Sequence, residues 1–204
     1  MGCRAASSAS STCTTSGAWG CSDVADPTLL ARAARIKLLL LDVDGVLTDG
    51  TVVVHSDGSE SKPFAIRDGI ALVWAQRAGI KVGILSARNS PTTPHRAAQL
   101  GITLIYQGVK SKADAYAQIT ADLLLEDADV AYMGDDVVDL AVLARVGLAT
   151  CPADAVDEVR RRVHWVSRSG GGRGAVRELA ELLLKAQGHW EDVLASYLNE
   201  GTHA

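Results

Sequence analysis

Ile36-Lys37-Leu38-Leu39-Leu40-Leu41-Asp42-Val43-Asp44-Gly45-Val46-Leu47-Thr48-Asp49-Gly50 is the stretch that decides the fold, because an apolar run delivers two carboxylates to its carboxyl end. A run that is apolar on both faces is typical of a central strand in a parallel sheet, where ligands bind at the carboxyl ends of strands. Side chains alternate along a strand, so Asp42 and Asp44 would share a face, and Gly45 permits a sharp turn beside them. A strand followed by an ordinary acidic turn is the alternative for this stretch taken alone.

Length and composition predict one α/β domain with an aliphatic core. The chain has 204 residues, of which 48% are hydrophobic and only 4% aromatic, as in proteins built on parallel sheets. The net charge of −4 provides no basic surface for nucleic acid, and no apolar run reaches the length of a membrane span. We therefore expect a soluble protein with neither a nucleic-acid nor a membrane partner.

The first 27 residues differ in composition from the rest of the chain. They are rich in Ser, Thr, Ala and Gly with little apolar periodicity, which predicts a disordered tail over residues 1–27. The tail lacks the continuous apolar segment of a secretory signal. Its cysteines, Cys3, Cys13 and Cys21, match no zinc-binding spacing, and Cys151 is isolated from them. Since no disulfide framework is indicated, a reducing cytoplasm is the expected compartment.

Beyond the tail, short apolar runs alternate with helical periodicities, which predicts a series of strand-helix units over residues 28–188. An Asp-Gly turn at residues 57–58 predicts an inserted hairpin with strands over 51–55 and 61–65. The Val-rich run over 51–54 would expose apolar surface and strand edges, so the hairpin needs a partner. A final helical pattern begins at His189, so residues 189–204 are expected to form a C-terminal helix and tail. The other predicted strands cover 81–85, 102–106, 130–133, 147–150 and 163–166, and the predicted helices include 67–78, a segment capped by Ser90 that ends at 101, 113–125 and 175–186.

Polar side chains also follow later strands, at the edge of the sheet where Asp42 is expected. Ser86 ends the strand after the hairpin, Lys112 lies near the start of a helix, and acids follow the strand over 130–133 at Asp135, Asp136 and Asp139. Each has an ordinary explanation by itself, such as a solvent-exposed lysine or a helix-capping aspartate. Two strands that end in acid clusters, separated by strands that end in Ser and Lys, indicate a common site.

A glycine-rich segment, Gly170-Gly171-Gly172-Arg173-Gly174, precedes the predicted helix over 175–186. Glycines allow the backbone to approach an anion closely, and they are equally typical of a flexible linker. Both interpretations stay open at this point.

The spaced motifs resemble those of the haloacid dehalogenase superfamily of phosphohydrolases. They occur in order as Asp-Val-Asp-Gly-Val-Leu-Thr over 42–48, Ser86, Lys112, and Gly-Asp-Asp over 134–136 with Asp139. More narrowly, residues 49–50, 64–69, 100–102, 106–108 and 171–174 look like the 3-deoxy-D-manno-octulosonate 8-phosphate (KDO 8-phosphate) phosphatase family, over roughly residues 36–188. The family's usual Thr-Gly-Arg after the second sheet strand is Ser86-Ala87-Arg88 here, which keeps the hydroxyl but loses the backbone freedom of Gly.

The resemblance implies a three-layer, doubly wound, Rossmann-like parallel sheet without a cap domain, and a phosphate monoester hydrolase. Asp42 would be the nucleophile that forms an aspartyl-phosphate. Asp44 would be the general acid and then the general base. Lys112 and the Ser86 hydroxyl would bind the phosphoryl oxygens, where charge spreads in the transition state.

The resemblance also implies a Mg²⁺ cofactor. Its oxygen ligands would come from Asp42, the backbone carbonyl of Asp44, and Asp135. Asp136 and Asp139 would support these ligands without touching the metal.

The substrate implied by the resemblance is a small keto-sugar acid phosphate, most directly KDO 8-phosphate, with a place in lipopolysaccharide biosynthesis. The implied assembly is a homotetramer in which neighbouring hairpins and tails help to close each active site. Guanidinium groups suit carboxylate and phosphate geometry, although a surface ion pair is the ordinary explanation for Arg96. The candidate substrate-binding residues, besides Asp44 and Lys112, are Ile66, Arg67, Asp68, Gly69, Arg88, Arg96 and Arg173.

Other functions remain as alternatives. A signalling receiver domain also combines clustered acids, Mg²⁺, a hydroxyl and a lysine, but its phospho-accepting Asp ends a middle strand, where Ile84-Leu85-Ser86 has no acid. A non-catalytic phosphosugar-binding module is a second alternative, against which Asp44 argues. Within the enzymes, a phosphatase for another nine-carbon sugar acid phosphate, of the sialic acid or KDN 9-phosphate type, is also open.

Overall fold

The computed structural model describes residues 26–199. Most of the predicted disordered tail over residues 1–27, including its three cysteines, lies outside the described residues. Only its last two positions, Asp26 and Pro27, are described. There Asp26 accepts a hydrogen bond from the N–H of Thr28 at 2.9 Å and caps a helix that begins at Pro27. Pro27, the last residue of the predicted tail, is thus part of a helix.

Within residues 26–199 the main sheet has six strands, all parallel, in the order β5-β4-β1-β6-β7-β8. From β1 the chain first builds one side of the sheet with β4 and β5, and then the other side with β6, β7 and β8. The strand order thus reverses beside β1, which places Asp42 at the crevice where doubly wound sheets bind ligands. The strands are β1 (Leu38–Leu41), β2 (Val53–Val54), β3 (Glu60–Ser61), β4 (Lys81–Ser86), β5 (Leu104–Gln107), β6 (Val130–Met133), β7 (Leu148–Cys151) and β8 (Trp165–Val166).

The four leucines of β1 are fully buried and face the two helical layers in alternation. Leu39 and Leu41 belong to the core shared with α1, α2 and α7, whereas Leu38 and Leu40 belong to the core shared with α4, α5 and α6. The predicted three-layer doubly wound fold is confirmed. The helices are α1 (Pro27–Ala34), α2 (Ile66–Arg77), α3 (Thr92–Gln99), α4 (Lys112–Leu123), α5 (Leu140–Leu143), α6 (Asp157–Arg160), α7 (Ala175–Ala186) and α8 (Trp190–Asn199).

The inserted hairpin is present but shorter than predicted. Only two residue pairs, Val53 with Ser61 and Val54 with Glu60, form its ladder. The second predicted strand ends early because Pro63 has no N–H for a ladder and the side chain of Lys62 turns into the protein.

The predicted cap of the third helix is wrong. Ser90 does not cap α3, which begins at Thr92 without a side-chain cap. The Ser90 hydroxyl donates instead to the carboxylate of Glu60 on β3. A capping oxygen accepts a hydrogen bond from a helix N–H, and among the described residues no such bond reaches Oγ of Ser90, whose hydroxyl is turned toward the hairpin.

The C-terminal helical pattern forms α8, which packs on α2. Trp74 meets the rings of Trp190 and Tyr197 edge to face, and its indole N–H donates to the Tyr197 hydroxyl at 2.8 Å. In the part of the chain from 26 to 199, every helix is too short or too polar to cross a membrane.

Candidate active site

The Asp42 loop, residues 42–48, leaves β1 as a tight turn that stays tied to the sheet. The backbone N–H of Asp42 donates to the carbonyl of Met133 on β6 at 3.1 Å. Within the turn, Gly45 has a φ of +91°, and a Cβ there would lie 2.1 Å from Oδ2 of Asp135. The turn therefore needs glycine both for its backbone angle and for the close approach of the Asp135 carboxylate.

Three acids converge beyond the carboxyl ends of β1 and β6. Asp42, Asp135 and Asp139 each offer a carboxylate oxygen, and these atoms lie within 4.8 Å of one another. The buried amine of Lys112, from the first turn of α4, lies 2.9 Å from Oδ1 of Asp42 and 2.6 Å from Oδ1 of Asp139. The structure thus brings Asp42, Lys112 and Asp135 into one cluster.

Asp139 is fully buried, and both of its oxygens are bound by protein donors. Oδ1 accepts from Lys112 and from the hydroxyl of Tyr132 at 2.5 Å. Oδ2 accepts from the N–H groups of Asp135 and Asp136 at 3.0 and 3.2 Å. Asp139 therefore fixes both the amine and the acidic loop, while exposed Asp136 caps the turn that follows.

Asp44 contacts a different lysine, which the sequence analysis did not identify. The amine of Lys62 donates to Oδ2 of Asp44 at 2.9 Å and lies 2.7 Å from Oδ1. The contact with Oδ1 lacks hydrogen-bond geometry and is an ion pair alone. The two acids of the Asp42 loop thus have separate cationic partners, one from α4 and one from the hairpin.

The acidic cluster suits a divalent cation that binds oxygen. Burial raises the pKa of Asp42 to about 6, although Lys112 opposes the shift. Burial and the nearby carboxylates of Asp42 and Asp139 raise the pKa of Asp135 to about 7. A divalent cation would relieve this crowding of negative charge, and Mg²⁺ prefers carboxylate and carbonyl oxygens. Because Asp139 is already saturated by protein donors, Asp42 and Asp135 are the carboxylates that would hold the ion, together with the Asp44 carbonyl.

Ser86 lies beside the Asp42 loop, at the carboxyl end of β4. The sheet register pairs Leu41 with Ile84, so Ser86 ends β4 beside the start of the loop. The side chain is buried, and its Oγ accepts a hydrogen bond from the N–H of Arg88 at 3.3 Å. Ala87 is accommodated next to it without a positive φ.

The glycine-rich segment packs directly on the Asp42 loop. A Cβ on Gly171 would lie 1.8 Å from the carbonyl oxygen of Gly45, and the N–H of Gly172 donates to the carbonyl of Val46 at 2.9 Å. These contacts contradict the interpretation of the segment as a flexible linker. The glycines let one backbone pack closely against another beside Asp42.

Three of the candidate substrate-binding arginines are exposed and lie on different segments of the chain. Arg88 is exposed and pairs with Glu60 of the hairpin at 2.5 Å. Arg173 is exposed beside Asp49 at 3.6 Å, directly after the Asp42 loop. Arg67 is exposed at the start of α2, next to Ile66, whose side chain is 76% exposed.

Three other candidates lie within the packing of α2. The buried carboxylate of Asp68 accepts the N–H groups of Gly174 and Arg177 at 3.3 and 2.8 Å, and so anchors the start of α7. Burial raises the pKa of Asp68, although these two hydrogen bonds act to lower it. Gly69 leaves room for the guanidinium of half-buried Arg96, because a Cβ there would lie 2.4 Å from it. Within residues 26–199 these contacts of Asp68 and Arg96 are with α7 and α2, not with the acidic cluster.

A cavity of about 200 Å³ opens beside the Asp42 loop and is lined by Asp49, Phe64, Gly172 and Arg173 among others. Cavities of about 300 and 330 Å³ lie elsewhere, between α2 and α8 and at the amino ends of β4 and β5. Of these three cavities, the smaller one is lined by Asp49, which directly follows the Asp42 loop, and by Gly172, which packs on it.

The sequence matches no protein-family model, but it has close curated relatives. The 3-deoxy-D-manno-octulosonate 8-phosphate phosphatase KdsC of Escherichia coli strain K12 is 42% identical over 164 residues, which are 80% of this chain and 87% of the relative. KdsC of Yersinia pestis is 43% identical over 159 residues, 78% of this chain and 85% of the relative.

Solved structures resemble the fold as well. The phosphatase of the same name from Moraxella catarrhalis, in complex with magnesium, phosphate and KDO, has a TM-score of 0.81 and 36% identity, covering 83% of this chain and 97% of that one. The cobalt-bound enzyme from Haemophilus influenzae has a TM-score of 0.75 and 38% identity, covering 77% and 92%.

Proposed function

The chain belongs to the KDO 8-phosphate phosphatase family of the haloacid dehalogenase superfamily, and we propose that it hydrolyses KDO 8-phosphate to KDO and phosphate. It is a Mg²⁺-dependent hydrolase of phosphoric monoesters. The observation that carries the proposal is the meeting of Asp42, Lys112 and Asp135 at the switch point of the sheet. The relatives and solved structures reported above are phosphatases, which favours this function over a receiver domain or a non-catalytic binding module.

In the first step, an oxygen of Asp42 attacks phosphorus and forms an aspartyl-phosphate, while the bond from phosphorus to the sugar oxygen breaks. Asp44, in its acid form, gives its proton to the departing sugar oxygen. The sugar acid leaves with a hydroxyl group at the oxygen that carried the phosphate.

In the second step, a water molecule attacks the phosphorus of the aspartyl-phosphate. Asp44, now a carboxylate, takes a proton from that water. The bond between phosphorus and Asp42 breaks, so inorganic phosphate leaves and the nucleophile is regenerated.

Lys112 and Ser86 bind the oxygens of the phosphoryl group during both steps. The Lys112 amine lies 2.9 Å from the nucleophile and is held there by Asp139, so it needs no reorganisation to face developing charge. Burial alone would lower the pKa of Lys112, but Asp42 and Asp139 outweigh burial and raise it, so the amine stays protonated. A Mg²⁺ held by Asp42, Asp135 and the Asp44 carbonyl would supply further positive charge at the phosphate oxygens.

The sugar acid end of the substrate fits the rim of the site. The cavity beside Asp49 and Arg173 adjoins the Asp42 loop, and its arginine suits a carboxylate. Arg88 lies two residues after Ser86 and is a second anion ligand if its ion pair with Glu60 opens. Arg67 and Ile66 line the exposed start of α2 and complete this proposed set.

The proposed assembly is a homotetramer that works in the cytoplasm and provides KDO for lipopolysaccharide biosynthesis. In the monomer Val53 and Val54 of the hairpin are 48% and 71% exposed. Two short strands with exposed valines are marginal in water, which supports burial of the hairpin against other copies of the chain.

A panel of sugar-acid phosphates tests the function. We expect release of phosphate from KDO 8-phosphate with a larger kcat/KM than from sialic acid or KDN 9-phosphate, and no release after Mg²⁺ is chelated. Asp42→Asn should bind substrate without releasing phosphate, and Asp44→Asn should keep binding while kcat falls roughly 10²- to 10⁴-fold. Preference for a nine-carbon substrate would overturn the substrate assignment, and turnover by Asp42→Asn would overturn the mechanism.

A further inference from the structure

We propose that Lys62 is a positioning residue for the general acid, holding the Asp44 carboxyl where it meets the leaving oxygen and stabilising the charge left after proton transfer. The proposal rests on the function proposed above, in which Asp44 handles protons. It adds to that function a cation supplied by the inserted hairpin.

Lys62 is buried, and its amine lies directly against the Asp44 carboxylate. Its side chain is only 1% exposed, and the polar contacts found for its amine within residues 26–199 are both to Asp44. A surface lysine would keep its amine in water. Burial of an ammonium is costly unless it is paired, and this amine makes its direct contacts with Asp44, whose side chain is 24% exposed, while Glu60 interacts with it at longer range.

Holding the hairpin in place does not require Lys62. Glu60, two residues earlier, already joins the hairpin to the loop after β4 through Arg88 and Ser90. Pro63 ends the short ladder on the other side of Lys62. The ion pair with Asp44 is therefore a second, separate connection, and it is the one that reaches a reacting group.

The chemistry explains why a cation is useful at this position. As the P–O bond to the sugar breaks, the proton of Asp44 passes to the leaving oxygen, and Asp44 acquires a negative charge. The Lys62 ammonium, which gives up no proton, faces that charge at 2.7 to 2.9 Å. An interaction that strengthens as charge develops lowers the barrier. It also keeps the carboxylate oriented for the water that attacks in the second step.

The test uses two esters of similar size that differ in their need for an acid. Phenyl phosphate has a poor leaving group that must be protonated, whereas 4-nitrophenyl phosphate has a good one. For Lys62→Met, which fills the buried space without charge, we expect kcat/KM to fall about 100-fold on phenyl phosphate and to change little on 4-nitrophenyl phosphate. Lys62→Arg should recover part of the loss, because it restores a cation.

Two further variants keep the inference falsifiable. Asp44→Asn should show the same dependence on the leaving group, and adding Lys62→Met to it should cost nothing more, because the two residues act as one unit. Ser61→Ala removes the exposed hydrogen bond to His55 within the hairpin and should leave both esters unaffected. Equal losses on both esters, or no loss, would overturn the role of Lys62. A wild-type enzyme that hydrolyses these esters but not KDO 8-phosphate would instead overturn the proposed substrate.

Discussion

The amine of Lys112 lies 2.6 Å from Oδ1 of Asp139, an acid with no exposed surface. Asp139 also accepts hydrogen bonds from the backbone N–H groups of Asp135 and Asp136. One buried carboxylate thus holds both the amine proposed to bind phosphate and the loop of a proposed metal ligand, although it is expected to touch neither phosphate nor metal.

We predict that Asp139→Asn lowers both stability and turnover. The substitution leaves the Lys112 ammonium buried with only Asp42 as a charged partner, and loss of one member of a buried pair costs about 3–5 kcal/mol of unfolding free energy. Tyr132→Phe is the matched control, because it removes the hydroxyl that donates to the same oxygen and accepts from Lys112 but leaves both charged partners in place, and it should cost about 1–2 kcal/mol. Urea unfolding and kcat measure the two effects. An Asp139→Asn enzyme as stable and active as Tyr132→Phe would show that the ion pair does not organise the site.

The raised pKa values of Asp42 and Asp135 predict that the metal-free protein loses stability as pH rises. Both acids keep their protons to higher pH when folded, at about 6 and about 7, than their ordinary value of 3.8. The folded state therefore binds more protons than the unfolded state across this window, and unfolding free energy falls with pH from about 4 to about 7. Mg²⁺ binds the ionised carboxylates, so its stabilising effect should be larger at pH 8 than at pH 5. Thermal unfolding with Mg²⁺ or with chelator measures both effects.

Asp135→Asn separates this effect from the titration of other acids. In chelator the variant should unfold at a higher temperature than the wild type at pH 8, and the difference should shrink at pH 5. The variant should also lose most of the stabilisation by Mg²⁺. A variant that responds to Mg²⁺ as strongly as the wild type does would remove Asp135 from the ligand set.

Gly171→Ala should abolish turnover, because the added Cβ would lie 1.8 Å from the carbonyl oxygen of Gly45 and push the Asp42 loop out of place. Gly170→Ala is the neighbouring control and should reduce turnover much less, since the nearest atoms to its Cβ belong to the carboxylate of exposed Asp154, whose movement costs one hydrogen bond to the N–H of Gly171 without a clash against the Asp42 loop. Steady-state kinetics on both variants, with circular dichroism as the test of folding, makes the comparison. Full activity in Gly171→Ala would contradict this packing role of the glycines.

Val53→Lys should break the proposed tetramer, because it places a charge in the hairpin surface that other copies would bury. Turnover of the sugar-acid phosphate should fall sharply, while a small aryl phosphate is affected less. Light scattering gives the assembly state, and the two substrates give the activity. Either a stable tetramer or a monomer with full activity on the sugar substrate would contradict the proposed coupling of assembly and catalysis.

The sequence by itself determined the layers of the fold and the order of the chemical motifs. Four consecutive leucines before Asp42 must be buried on both faces of a strand, which only a sheet covered by helices on both sides provides. The alternation of strands and helices then brings strand ends to one edge, so the convergence of Asp42, Lys112 and Asp135 follows from local pattern and topology. Such features repeat with the period of a strand or helix, and the sequence displays that period directly.

Only the tertiary structure decided which side chains face one another across loops. Three such contacts join segments that carry no periodic signal. They are the ion pair of Lys62 with Asp44, the hydrogen bond of Ser90 to Glu60, and the packing of Gly171 on the Asp42 loop. A buried lysine and an exposed lysine look alike in a sequence. Their difference comes from the path of a loop, which is set by packing and ion pairs between residues far apart in the chain.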